Sequence, residues 1–124
     1  ASETKDAHEE WISFFKRLGQ AEVDNPEDAE YFLLFCPVKS RIKTDIDEAL
    51  EIIPEEKPVI LVVMHHTFNP HTFIMESRLQ VTRPDVRLTV DCLFYEGRLL
   101  PCNTNNIARN QIQNYLGVPA SEVS

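Results

Sequence analysis

Apolar residues recur along this chain with three different periods, and each period predicts a different element. Between residues 5 and 18, Trp11, Ile12, Phe15 and Leu18 repeat at helical spacing, while Lys5, Asp6, Glu9, Lys16 and Arg17 fall mostly elsewhere. That is the pattern of an amphipathic helix, stopped at Gly19. His8 shares the side of Trp11 and belongs at the margin of the packed face. Residues 31–38, YFLLFCPV, and 59–64, VILVVM, are short unbroken apolar runs. Their length suits strands, and their lack of alternation predicts burial on both faces, at the centre of a sheet. Between them Ile42, Ile46, Ala49, Leu50 and Ile53 form a helical stripe. Thr44 and Asp47 read as its capping pair, and Pro54 and Pro58 end it. A strand, a helix and a strand this close together make a βαβ unit with parallel strands.

The third period is two. In VRLTVDCLFY, residues 86–95, Val86, Leu88, Val90, Cys92 and Phe94 point one way, and Arg87, Thr89, Asp91, Leu93 and Tyr95 the other. This predicts a strand with one wetter face. Gly97 marks a tight turn, after which residues 98–100 return as a short edge strand. Ile107, Ala108, Gln111, Ile112, Tyr115 and Leu116 then share a helical face, with Asn103 or Thr104 to start the helix and Gly117 to close it. The stretch from 65 to 85 carries Pro70 and Pro84 and no clear period, so it is either partly helical or employed in function.

The element order predicts one α/β domain over residues 1–124, with 117–124 as a tail. Its expected form is a small three-layer flavodoxin-like or Rossmann-like fold: central parallel strands, an edge hairpin, and helices on both faces. The chain lacks GxGxxG, GxxxxGK[ST] and GxSxG, and has only three glycines. A backbone cradle for a dinucleotide is therefore not expected, and no cofactor is.

Charge narrows the partners. The net charge is −8, which repels nucleic-acid phosphates and anionic lipid, so neither is expected. The acids concentrate before residue 60, whereas Arg78, Arg83, Arg87, Arg98 and Arg109 come later, an asymmetry that suits self-association. No apolar run approaches the ~20 residues of a membrane span. The first residues are acidic and polar rather than a secretory leader, and the three cysteines include no CxxC pair. Taken as complete, the chain reads as a cytoplasmic protein with reduced thiols.

Ligands of open α/β sheets collect beyond the carboxyl ends of the strands. The first central strand leads into Lys39, Ser40, Arg41, Lys43 and Thr44, and the second into His65 and His66, with His71 a few residues on. The cations and hydroxyls before a helix could hold a small anion. His65 and His66 point to opposite faces, so one metal ion cannot take both from a regular strand. Asp91, Cys92 or Glu76 would have to complete such a set, and no metal is expected. Cys36 beside a histidine is a possible nucleophile, although its apolar run favours packing. Asp91 could orient a histidine, but pairing with Arg87 or Arg98 is the commoner arrangement.

Two functions follow. The favoured one is a non-catalytic module that binds a partner or itself, with Tyr95, Leu99 and Leu100 of the edge hairpin extending a sheet across a dimer. The alternative is a small hydrolase or phosphate-handling enzyme that uses the cationic turn and the histidines.

Overall fold

Six apolar residues in a row leave a strand no solvent face, and residues 59–64 are each fully buried. The structure, a computed structural model, describes residues 5–39, 41–74 and 76–118. In chain order its elements are α1 (Lys5–Arg17), β1 (Phe32–Pro37), α2 (Ile42–Glu51), β2 (Val59–His66), β3 (Val86–Tyr95), β4 (Arg98–Leu99) and α3 (Asn103–Leu116). The strands form one mixed sheet in the order β1-β2-β3-β4. β1 and β3 both run parallel to β2, and β4 is antiparallel to β3. The protein is therefore an α/β fold in which β1, α2 and β2 form the expected parallel unit.

The alternation of β2 divides the core in two. Ile60, Val62 and Met64 pack with Trp11, Phe14 and Phe15 of α1 and with Ala108 and Ile112 of α3. Val59, Leu61 and Val63 pack with Ile46 and Leu50 of α2. Each such buried aliphatic side chain contributes roughly 1.5–3 kcal/mol relative to exposure. His8 lies at the margin of α1, its ring stacked on that of Phe35 at 4.4 Å.

The turn between β3 and β4 is Glu96–Gly97, both with positive φ, at 52° and 74°. Two left-handed residues in a two-residue loop match the twist of an antiparallel pair, and Gly97 takes this conformation without steric strain. Gly117, at φ 72°, closes α3 as its pattern predicts.

Three details differ from the sequence pattern. β1 lies at an edge of the sheet rather than at its centre, and Phe32, Leu33, Leu34 and Phe35 are only half-buried. An apolar run reports what covers the two faces of a strand and carries no information about its lateral neighbours. α2 begins at Ile42 with Arg41 in the N-cap position, so Thr44 lies inside the first turn and does not cap it. Val86 and Leu88 do not share a face: Val86 packs on the α2 side and Leu88 on the α1 side. The pairing register with β2 shifts between Val59 and Ile60, and such a bulge turns one residue over. Between β2 and β3 the described residues, 67–74 and 76–85, include one 3-10 turn, Ser77–Gln80. This strap passes over the α2 face, where Val81 joins the core.

Candidate functional site

The strap is fastened by a buried polar cluster. Asp91 of β3 and His65 of β2 are diagonal neighbours on the α2 face, and His65 Nε2 donates to Asp91 Oδ1 at 2.8 Å. Ser77 donates its hydroxyl to the same oxygen, and its backbone N–H to Oδ2 at 3.0 Å. Ser77 is fully buried and His65 is 8% exposed. Burial is the largest single influence on the Asp91 carboxyl and pushes its pKa up. The hydrogen bonds from His65 and Ser77 outweigh it together and hold the group below the ordinary aspartate value. Asp91 thus pairs with His65, not with Arg87 or Arg98.

The order of the three residues decides their chemistry. Serine activation needs the imidazole between the hydroxyl and the carboxylate, so that the base takes the hydroxyl proton. Here the carboxylate is in the middle, and the serine proton points at an anion that is already hydrogen-bonded. The arrangement holds the strap down and leaves the hydroxyl unactivated.

The cationic turn is bound up with its own helix. Asp45 Oδ2 accepts from the Lys39 backbone N–H at 2.7 Å, and the Asp45 N–H donates to the Arg41 carbonyl at 2.9 Å. A carboxylate therefore already lies at the positive end of α2. Lys43 Nζ reaches Asp47 at 3.3 Å and the Gln80 carbonyl at 3.4 Å, which ties α2 to the strap. The side chains of Lys39, Arg41 and Thr44 are exposed. Ser40 lies outside the described residues.

The remaining candidates are dispersed. His66 is exposed, stacked on Tyr95 at 5.1 Å and edge-on to Phe94 at 5.3 Å. Phe68, 76% exposed, meets the other side of this aromatic group at Tyr95. His71 belongs to the wall of an open cleft of about 460 Å³ between the strap, at Pro70 and Phe73, and the start of α3, at Asn103 and Thr104. Glu76 pairs with Arg78. Among the described residues no three His, Cys, Asp or Glu side chains gather as a metal set. Cys36 is buried, and burial, followed by Asp45, raises its thiol pKa to about 11, against a smaller opposing pull from Lys39. Burial raises Cys92 to about 12. Neither thiol is a ready nucleophile at neutral pH.

No known protein family, curated protein or solved structure matches this chain. Its geometry alone carries the functional reading.

Three residues that matter here carry no motif. Ser77 is the strap's anchor. Arg83 donates to the Leu50 and Ile53 carbonyls at the end of α2, whose last turn has no basic residue of its own, and pairs with Asp85. Asn105 is fully buried, and its amide accepts from Leu93 N–H at 2.7 Å and donates to the Leu93 and Leu100 carbonyls at 2.9 and 2.8 Å. It bridges the Leu93 N–H and the Leu100 carbonyl just past the end of the two-residue β4. A polar residue inside a predicted helix start was the one available signal for it.

The two lateral edges of the sheet complete the picture. At β4, Leu99 is buried and its N–H donates to Glu10 of α1 at 2.9 Å. Tyr95 is partly exposed, and the Leu100 N–H donates to Leu93. At β1, Phe32 N–H donates to Pro58 and Val38 N–H to Met64, both at 2.9 Å. Alternate residues of a parallel strand turn their backbone groups to the same neighbour. Those of Leu33 and Phe35 therefore point away from β2, and no described residue bonds them.

Proposed function

We propose that this chain is a non-catalytic α/β module that works by self-association, and that the open edge of β1 is the associating element. The observation that carries this reading is that edge: a six-residue strand, FLLFCP, half-buried along most of its length, with no charged residue. Sheet edges of this kind are templates for another strand, and proteins that stay monomeric blunt them with charges, bulges or a covering element. Pro37 is the sole such device within the strand.

The polar geometry supports the non-catalytic half of the reading. Asp91 stands between Ser77 and His65, Asp45 occupies the start of α2, and the Cys36 and Cys92 thiols are held protonated. The hydrolase or anion-binding alternative on Lys39, Arg41 and the histidines has less behind it for the same reasons. Association through Tyr95, Leu99 and Leu100 is also less favoured, because Glu10 already takes the Leu99 N–H. We read the frame as a small three-layer flavodoxin-like or Rossmann-like domain. Its strand order runs without reversal, so it lacks the switch-point crevice where such folds usually hold ligands. No described helix is long and apolar enough to cross a membrane. The unpaired cysteines suit a reducing, cytoplasmic setting.

Size-exclusion chromatography with light scattering tests the reading. The expected mass at micromolar concentration is twice the 14.3 kDa of one chain. A mass of one chain up to ~100 μM, a concentration at which even weak specific dimers form, contradicts it.

A further inference from the structure

Resting on that reading, we infer that two copies pair β1 with β1, antiparallel about a two-fold axis at Leu34, and so join two four-stranded sheets into one. Symmetry and hydrogen bonding select this register. An isologous contact uses the same patch on both copies. A two-fold axis normal to the sheet keeps each side chain on its own face, so facing residues must share parity. For a strand of Phe32–Pro37 this leaves two registers near the centre, one on Leu34 and one on Phe35. Centring on Phe35 sets Leu33 opposite Pro37, which has no N–H to give. Centring on Leu34 sets Leu33 opposite Phe35 in both directions. These are the two residues whose backbone groups face outward, and each such pair exchanges two hydrogen bonds.

The side chains fit the same operator. Leu34 meets Leu34 on the α2 face, and Phe32 lies opposite Cys36 of the second copy. Leu33 and Phe35 face each other on the α1 side. On each face of the joined sheet, the half-buried apolar side chains of β1 thus lie beside the same side chains of the second copy. Charge agrees. Glu27, Asp28 and Glu30 are exposed at the amino end of β1, and Lys39 and Arg41 at its carboxyl end. Antiparallel pairing places the acidic end of each copy beside the basic end of the other, twice per dimer, which offsets locally the repulsion of two chains at −8. A strand from an unrelated protein would satisfy the backbone but has no reason to carry this reversed charge order.

The test uses the full chain. Leu34→Cys places two thiols face to face in a non-hydrogen-bonded pair, a separation a disulfide can close. Mild oxidation should give a covalent dimer with Leu34→Cys and none with Leu33→Cys or with the wild type, whose own cysteines are buried. Exposed charge swaps supply a second arm that leaves packing alone. Glu30→Lys and Lys39→Glu should each weaken dimerisation about three- to tenfold, and the double swap should restore it. A dimer that fails to cross-link at Leu34, or whose double swap is no tighter than either single one, overturns this register while self-association stands. A wild-type chain that stays monomeric overturns both.

Discussion

The two edges of this sheet are treated in opposite ways. β4 is two residues long, and the chain closes it with three separate devices. Glu10 takes the Leu99 N–H, the Asn105 amide takes both backbone groups of Leu93, and Leu99 itself is buried. β1 is six residues long, entirely apolar, and closed by nothing described beyond Pro37 and the His8 ring stacked on Phe35. A fold that can satisfy one edge so fully has the means to cover the other. The contrast is the ground for proposing β1, and not β4, as the edge that takes another chain.

Four substitutions break or sharpen this contrast. The largest effect belongs to the protected edge. Asn105→Ala leaves the buried Leu93 N–H without an acceptor, removes the amide donor from the Leu93 and Leu100 carbonyls, and opens a small cavity, so chemical denaturation should show a loss of about 3 kcal/mol. A loss below ~0.5 kcal/mol, the range of ordinary surface changes, would mean that β4 needs no such closure. Next comes the bare edge. Leu34→Lys sets two like charges on the proposed axis and should weaken dimerisation at least ~100-fold, with a folding cost of about 1 kcal/mol for the half-buried position. Glu10→Ala removes the acceptor of Leu99 N–H and should cost about 1 kcal/mol, read as a lower thermal midpoint. The dimer should be unchanged, because β4 takes no part in it.

The smallest effect separates the fold from both edges. The folded pKa of Asp91 lies below its unfolded value, so its contribution to stability is fully present above the ordinary aspartate value of 3.8. It is lost as pH falls through the depressed folded value. Wild-type stability should therefore drop below ~pH 4, and Asp91→Asn should flatten that limb while lowering stability at pH 7. Unchanged acid limbs in the two proteins would remove Asp91 as the strap's fastening.

Much of the frame was legible from periodicity. The double burial of β2, the dry faces of α1 and α3, the parallel βαβ unit and the roles of Gly97 and Gly117 all follow from local spacing. The position of β1 at an edge was not, because sequence pattern records the faces of a strand and not its flanks. The choice of histidine over arginine as the partner of Asp91 is illegible for a related reason. The arginines near it in sequence, Arg87 and Arg98, looked like its partners, yet its donors arrive from β2 and from a strap that must first fold over the sheet. Arg83 and Asn105 act on carbonyls and amides distant in the chain, and backbone partners leave no trace in the residues that use them. His65, His66 and His71 share a short stretch of sequence, but strand alternation and the departing strap carry them to three different settings.

The central claim is that the β1 edge holds a second copy of the chain. Sedimentation velocity of the wild type and Leu34→Lys across a range of micromolar concentrations tests it most directly. The account predicts a wild type that shifts from one to two chain masses as concentration rises, and a folded variant that stays at one. A wild type at one chain mass throughout, or a variant that dimerises as well as the wild type, contradicts it.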